Sequence, residues 1–126
     1  MTPDTIKETL TRYGQAFTGR DLPTLLALFH PDAVQSDPVN VPPNVGHDAI
    51  GKFFTAAFDA STTCSWEALA IHTCGDHAGV DFRVVVSTAD GSMTIEGVEV
   101  FDFDEDGLIR SVSAYYDDSD IGFVPA

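Results

Sequence analysis

The chain has 126 residues, of which 44% are hydrophobic, and this length favours a single domain over residues 1–126 with a core of its own. Its formal net charge of −14, from 20 acidic and 6 basic residues, disfavours nucleic acid and anionic membrane surfaces as partners. No stretch approaches the roughly 18 apolar residues of a membrane span, and the first residues lack a signal-peptide pattern, so we expect a soluble, cytoplasmic protein.

The first predicted helix begins after Thr2, a residue type common at the N-cap, with Pro3 at its first position. Thr5 and Glu8 have the spacing of a capping box. Gly19 is expected to close the helix. Its apolar residues recur with the helical period and form one stripe: Ile6, Leu10, Tyr13 and Phe17.

Two further helices are predicted. Asp21 can cap the second, which Pro31 is expected to end. A short strand over residues 33–37 and a proline-rich loop over 38–46 then lead to Asp48, the predicted cap of the third helix. Core packing is the favoured role for two of the aromatic residues of that helix, Phe53 and Phe58, and is balanced evenly against ligand binding for a third, Phe54.

From residue 63 the apolar period changes to two, which predicts an antiparallel meander of four strands. The strands are expected near residues 64–73, 79–88, 92–103 and 109–117. The hairpin signals between them are Gly75-Asp76, Asp90-Gly91 and Asp106-Gly107. Helices followed by such a meander predict an α+β domain in which the helices cover the apolar face of the sheet.

Three residues are candidates for catalysis. Tyr13 brings a hydroxyl to the apolar stripe of the first helix, and Asp37 ends the short strand immediately before a proline. Glu99 shares its strand parity with apolar residues, so burial would raise its pKa and leave a neutral carboxyl that donates a hydrogen bond. Each also has a structural interpretation: a tyrosine at the core edge, a turn aspartate, and a strand glutamate that is solvated or paired with Arg83 or Arg110.

Metal chemistry is not predicted. Cys64 and Cys74 lack zinc spacing and are interpreted as reduced thiols. The four histidines form no HxxxH or HExxH pattern. The segment from Asp102 to Gly107 begins like an EF-hand loop, but Ser113 occupies the twelfth position, where a bidentate glutamate is required. We interpret that segment as an acidic hairpin turn.

The order and context of the three candidates resemble the ketosteroid isomerases of the NTF2-like, or SnoaL-like, superfamily over nearly the whole chain. Asp37-Pro38-Val39 matches the stretch that holds the catalytic base, and Tyr13 matches the oxyanion-hole tyrosine. Glu99 stands where the family usually has a second donor, an aspartic acid. The resemblance implies a cone-shaped α+β fold, with three N-terminal helices packed in a strongly curved, mainly antiparallel sheet, and a homodimer formed through the outer sheet face.

The resemblance further implies a steroid Δ5-isomerase, an intramolecular oxidoreductase that moves a C=C bond into conjugation without a metal or organic cofactor. Asp37 would carry the proton, while Tyr13 and protonated Glu99 would stabilise a dienolate oxygen. Because two phenylalanines, Phe29 and Phe54, replace tyrosines of some members, a short hydrogen-bond network is expected behind Tyr13. The substrate is expected to be a small hydrophobic ketone of the 3-ketosteroid type, bound by Phe17, Phe54, Phe82, Val84, Phe101 and Tyr116.

Two alternatives share much of this pattern. A SnoaL-like polyketide cyclase would also use an acid/base carboxylate on a hydrophobic polycyclic ligand. A non-catalytic, hydrophobic-ligand-binding NTF2-like protein would have the same cone, but buried carboxyl groups at both 37 and 99 would be an unexplained cost for it. A dehydratase of this fold would need a His–Asp pair and an epoxide hydrolase an Asp-Arg-Asp set, and neither set is evident here.

Overall fold

Three helices pack on one face of a curved, open seven-stranded sheet in the computed structural model, which describes all residues 1–126. The helices are α1 (Pro3–Thr18), α2 (Leu22–Ala27) and α3 (Gly46–Asp59). The strands are β1 (Phe29–Ser36), β2 (Asn44–Val45), β3 (Thr63–Cys74), β4 (His77–Thr88), β5 (Gly91–Phe103), β6 (Ile109–Tyr115) and β7 (Ile121–Pro125). The predicted α+β architecture is confirmed, with the sheet mixed because one pair of strands is parallel.

The start and end of α1 agree with the sequence prediction. Thr2 is the N-cap and accepts from the Thr5 amide at 3.2 Å, while the Thr2 amide donates to the Thr5 hydroxyl at 3.0 Å. The capping box therefore joins Thr2 to Thr5, and the predicted pairing of Thr5 with Glu8 is wrong. The reason is that the helix begins at Pro3, which makes Thr5 its third residue. Gly19 caps the C-terminus as predicted.

The second helix ends earlier than the sequence indicates. Asp21 caps it as predicted, accepting from the Thr24 amide, but the helix stops at Ala27 and Pro31 lies within β1. The main chain is drawn into the sheet before the proline, because the Leu28 carbonyl accepts from the Ile109 amide of β6 at 2.8 Å. Pro31 falls where the β1–β6 register is interrupted, a position where its missing amide costs no ladder bond.

The third helix begins at Gly46, and the prediction that Asp48 caps it is wrong. Val45 is the N-cap and supplies no side-chain hydrogen bond, so Asp48 falls in the first turn. The chain enters the helix from β2, which pairs with β1, through a left-handed backbone at Gly46 with a φ of 84°. Glycine adopts this conformation without steric cost, and Asp48 still lies favourably at the positive end of the helix dipole.

The strand order is β2-β1-β6-β5-β4-β3, and β7 pairs with the first half of β5. The four strands predicted from the period-two pattern are confirmed, with ends shifted by one or two residues. The two-residue β2 and the C-terminal β7 were not predicted. The pairs are antiparallel except β1–β6, which is parallel. Because parallel strands end at the same edge, Asp37, after β1, and Tyr116, after β6, lie close together.

The helices cover the inner face of the sheet, as predicted. Side chains from all three helices and from the strands form one buried core, whose largest fully buried members include Ile6, Leu10, Leu25, Phe29, Ile50, Phe54, Val80, Phe101, Ile109 and Val112. None of the helices combines the length and the apolar character that crossing a bilayer requires. The outer face carries charged pairs, such as Arg83 with Glu67 and Glu96. Inner and outer positions therefore alternate along β4 and β5, as the sequence indicates.

Candidate active site

A cavity of about 240 Å³ lies between α1, α3 and the inner face of the sheet. Twelve of its fourteen lining residues are hydrophobic. The three candidate residues all contribute to its wall. The full lining consists of Tyr13, Phe17, Asp37, Phe53, Ala57, Ala60, Trp66, Phe82, Val84, Val86, Met93, Ile95, Glu99 and Tyr116. The fold thus brings two carboxyl groups and three polar aromatic side chains into an otherwise apolar space.

Tyr13 is held by aromatic packing and is 3% exposed. Its ring lies 4.9 Å from that of Trp66 and 5.5 Å from that of Phe101, both edge-on. The hydroxyl makes no hydrogen bond within the protein, and no fully buried side-chain oxygen or nitrogen lacks a partner, so this hydroxyl faces the cavity. Burial, with Glu99 and Asp37 nearby, raises the Tyr13 pKa, so the phenol stays protonated and able to donate.

No protein group forms the short hydrogen-bond network that was expected behind Tyr13. Phe29 and Phe54 pack on the tyrosine ring at centroid distances of 6.1 and 6.4 Å, and neither can hydrogen-bond to the hydroxyl. The hydroxyl is consequently free to bind whatever enters the cavity.

Glu99 points inward, as its strand parity predicts, and is 4% exposed. Trp66 donates its indole Nε1–H to Glu99 Oε1 at 2.7 Å. Burial raises the pKa of Glu99 to about 8, an effect that the Trp66 hydrogen bond opposes and the Asp37 charge reinforces. Burial therefore favours the neutral carboxyl over the carboxylate. Pairing with Arg83 does not occur, because that arginine binds glutamates on the outer face.

Asp37 is half-buried at the end of β1 and is joined to Pro38 by a cis peptide bond. Its Oδ1 accepts from the Tyr116 hydroxyl at 2.7 Å. Burial raises the Asp37 pKa and the tyrosine bond opposes that rise. Burial and the neighbouring carboxylate raise the Tyr116 pKa, so Tyr116 remains a donor. A partly desolvated carboxylate with one oxygen uncommitted is suited to take up a proton.

Four of the six predicted apolar contacts line the cavity: Phe17, Phe82, Val84 and Tyr116. The other two are corrected. Phe54 and Phe101 are 1% and 0% exposed and lie behind the Tyr13 ring, within the core. Phe53, for which core packing is the favoured role from the sequence, lines the cavity in place of Phe54. Phe53 and Phe54 are adjacent on α3 and point about 100° apart, so one faces the cavity while the other faces the core.

Trp66 is the polar site residue that the sequence pattern did not identify. It lies on the inward side of β3 with Cys64, at 6% exposure. The sequence did contain a signal for this residue, because a tryptophan on the inward side of a strand brings an N–H that requires a partner. Five apolar lining residues were also missed, and these are Ala57, Ala60, Val86, Met93 and Ile95.

No group of three or more histidine, cysteine, aspartate or glutamate side chains is placed to hold a metal ion. Cys64 is buried, Cys74 is exposed, and both are free thiols. The acidic hairpin turn predicted after β5 is confirmed, since Asp104 Oδ1 accepts from the amides of Asp106 and Leu108, both at 2.9 Å. These carboxylates serve the turn and lie apart from the cavity.

The chain is similar to known proteins along nearly its whole length. Residues 10–112 match the SnoaL-like domain family, so the chain belongs to the SnoaL-like family. Within that class it is 34% identical over 121 residues to the steroid Delta-isomerase of Nocardioides simplex, covering 96% of this chain and 97% of that enzyme. An isomerase family membership is therefore supported along almost the full length of both proteins.

Solved structures with the same fold are more distant in sequence. The RV0760c protein of Mycobacterium tuberculosis has a TM-score of 0.88 at 17% identity, covering 98% of this chain and 99% of that one. The epoxide hydrolase/cyclase-like enzyme SalBIII, which takes part in pyran ring formation in salinomycin, has a TM-score of 0.87 at 20% identity, covering 96% and 97%. A computationally designed 17-OHP binder has a TM-score of 0.84 at 16% identity, covering 95% and 96%. These likenesses establish the NTF2-like fold.

Proposed function

We propose that the protein is a steroid Δ-isomerase that converts a Δ5-3-ketosteroid to its conjugated Δ4 isomer. The observation that carries the proposal is the convergence, in one apolar cavity, of the Asp37 carboxylate with two protonated donors, Tyr13 and Glu99. The 34% identity to a steroid Delta-isomerase supports the same conclusion. A base and two oxyanion donors constitute the set that proton transfer next to a carbonyl requires.

The reaction is an internal proton transfer. The Asp37 carboxylate removes a proton from the carbon between the ketone and the double bond, and the electron pair moves to the ketone oxygen to form a dienolate. Tyr13 and Glu99 each donate a hydrogen bond to that oxygen. The protonated Asp37 then returns the same proton to the far carbon of the dienolate, which places the double bond in conjugation and regenerates the carboxylate.

The apolar wall gives the two donors their effect. A carboxylate is a weak base for a carbon acid, so much of the barrier must be lowered by stabilising the oxyanion. Donors fixed in a water-poor cavity are worth more than donors in water, since the local dielectric is low. Ketosteroid isomerases are themselves the established example of a carboxylic acid kept neutral for this purpose. Here the longer Glu99 would perform that role.

The wall also indicates the substrate class. A cavity lined mainly by aromatic and aliphatic groups favours a flat, neutral, hydrophobic molecule, and a net charge of −14 disfavours an anionic one. Its volume of about 240 Å³ is below the roughly 300–1,000 Å³ of pockets that enclose drug-sized ligands. A four-ring steroid would therefore enter with its reacting ring first and remain partly outside. We also propose a homodimer, on the family resemblance.

The test is conversion of a Δ5-3-ketosteroid to the Δ4 isomer, followed by the ultraviolet absorbance of the new enone. Asp37→Asn keeps the shape of the base and removes its basicity. We expect turnover to fall by about 10²–10⁴, the usual contribution of a general base. Asp81→Asn is the matched control, because Asp81 is exposed on the outer side of β4 and its variant should turn over like wild type.

Other outcomes separate the alternatives. If wild type binds a phenolic steroid tightly but shows no turnover, the ligand class is supported and the isomerase reaction is overturned. That result would point to a cyclase-like activity. Absence of both turnover and binding would overturn the proposal in favour of a non-catalytic role.

A further inference from the structure

Trp66 contacts both proposed oxyanion donors. Its indole N–H donates to Glu99 Oε1 at 2.7 Å, and its ring lies edge-on to the Tyr13 ring with centroids 4.9 Å apart. The side chain is 6% exposed and forms part of the cavity wall. Trp66 is therefore packed against one donor and hydrogen-bonded to the other.

The hydrogen bond determines which oxygen of Glu99 can carry the proton. An indole nitrogen only donates, so Oε1 must be the acceptor. In a neutral carboxyl the carbonyl oxygen is the stronger acceptor, so Oε1 is assigned as the carbonyl oxygen and the single O–H is assigned to Oε2. Oε2 makes no hydrogen bond within the protein, and since no fully buried side-chain oxygen lacks a partner, Oε2 faces the cavity. The bond from Trp66 thus directs the acidic O–H of Glu99 toward the space that a ligand would occupy.

We propose that Trp66 is a positioning residue that locks the carboxyl of Glu99 with its O–H directed at the substrate oxygen, a role that rests on the isomerase function proposed above. Glutamate has one more rotatable bond than the aspartate usual in the family, so its carboxyl samples more rotamers. A fixed donor from β3 removes that freedom. The hydrogen bond from Trp66 thus offsets the extra side-chain freedom that Glu99 has relative to an aspartate.

The packing around Trp66 is consistent with this role. A Cβ at Gly14 would lie 3.1 Å from Trp66 Cε3 and 3.1 Å from the Trp66 carbonyl oxygen, closer than ordinary side-chain contacts. Gly14 follows Tyr13 directly on α1, so the helix that supplies one donor leaves space for the indole that holds the other. The indole is consequently confined on its α1 side as well as by its hydrogen bond.

The test is Trp66→Phe, which retains an aromatic ring and removes the N–H. The titratable groups that face Glu99 from other elements are Tyr13, Asp37 and Tyr116, and all three are unchanged in this variant. Since the lost bond stabilised the charged form, the Glu99 pKa should rise. Carbon-13 NMR of glutamate-labelled protein measures this titration directly, with Glu99→Gln assigning the resonance.

The kinetic readout is steady-state steroid isomerisation across pH. We expect kcat of Trp66→Phe to fall roughly three- to ten-fold, the range of one ordinary hydrogen bond, with KM nearly unchanged and the alkaline limb displaced to higher pH. The control is Phe58→Leu, which also reduces a buried aromatic side chain but lies in the core away from Glu99. It should lower stability and leave the alkaline limb in place.

The outcomes distinguish this proposal from the isomerase function. An unchanged or lowered Glu99 pKa in Trp66→Phe would overturn the positioning role, even in an active enzyme. A raised pKa together with an inactive wild type would support the Trp66–Glu99 coupling and overturn the isomerase function alone. A loss of kcat with an unmoved alkaline limb, as in Phe58→Leu, would reduce Trp66 to a packing residue.

Discussion

Two glutamates on β5 occupy opposite faces of the sheet. Glu96 points outward, with a side chain that is 52% exposed and accepts from Arg83 at 3.1 Å. Glu99 points inward, is 4% exposed, and has a single hydrogen bond from Trp66. Water and an arginine surround the outer carboxylate, whereas burial raises the pKa of the inner one to about 8. The same residue type is thus a surface ion or a neutral acid according to its position in the pleat.

The contrast extends to the neighbouring strands. On the outer face Arg83 bridges Glu67 and Glu96, and Asp102 accepts from the Ser111 hydroxyl at 2.7 Å. Exposed pairs of this kind are screened and contribute little to stability. On the inner face each polar group lies among apolar side chains, where its ionisation carries a large energetic cost. Changes on the inner face should therefore alter activity and pH dependence, while matched changes outside should not.

After loss of the base itself, the largest effect is expected for Tyr13→Phe, which removes a donor from the inner face and keeps the ring packing. Turnover of the Δ5-3-ketosteroid should fall by about 10²–10³, the usual cost of one oxyanion-hole donor. The loss should be incomplete, because Glu99 still donates. Steady-state enone absorbance measures it, with Tyr115→Phe, an exposed tyrosine of β6, as the matched control. A rate equal to wild type would remove Tyr13 from the site.

The comparison of the two glutamates is tested by the pH dependence of stability. Between pH 4.5 and about 8 the unfolded chain has released the Glu99 proton that the folded protein still holds. The free energy of unfolding should therefore lose a contribution of up to ~1.4 kcal/mol per pH unit as pH rises through this window. The contribution is fully present below pH 4.5. Urea unfolding of wild type and Glu99→Gln across this range measures the difference.

Glu96→Gln is the control on the same strand. Its unfolding free energy should follow the wild-type pH dependence, because Glu99 is intact and the exposed Glu96–Arg83 pair contributes little to stability. Parallel curves for wild type and Glu99→Gln would show instead that the inner glutamate is ionised at neutral pH, and would contradict its assignment as a donor.

The smallest effect is expected for Tyr116→Phe, which removes the hydrogen bond to Asp37. That bond opposes the rise that burial causes in the Asp37 pKa, so its loss should raise the pKa further. The base would then become ionised only at higher pH, and the acid limb of kcat/KM should move upward. A few-fold loss is expected below neutral pH and little loss above it. An acid limb that stays in place would show that Tyr116 does not act on the base.

Local sequence signals predicted most of the fold and three of the polar site residues. The helical stripe placed Tyr13 on the inner side of α1, and the period-two pattern placed Glu99 with Phe101. Errors arose where long-range pairing overrode local preference. The end of α2 is set by the bond from Ile109 to Leu28, and the start of α3 is set by β2 pairing with β1. Neither contact has a signature in the adjacent residues.

Trp66 shows why the hydrogen bonds of the site could not be predicted, although an inward tryptophan could. In the strand register Trp66 lies beside Val84, which lies beside Ile95, so Glu99 is four residues along β5 from that row. In the curved sheet the indole nevertheless donates to the carboxyl at 2.7 Å. A period-two pattern assigns a residue to a face but carries no information on curvature, so it cannot pair residues on non-adjacent strands.

The position of the indole has a practical consequence. The sequence contains a single tryptophan, and this residue donates to the ionisable carboxyl of the cavity. Indole emission responds to the charge and hydrogen bonding of its surroundings. When excitation is confined to the wavelengths that tryptophan absorbs and the three tyrosines do not, the emission is thus a signal from one place. We expect it to report, without any added label, when Glu99 gives up its proton and when a ligand enters beside it.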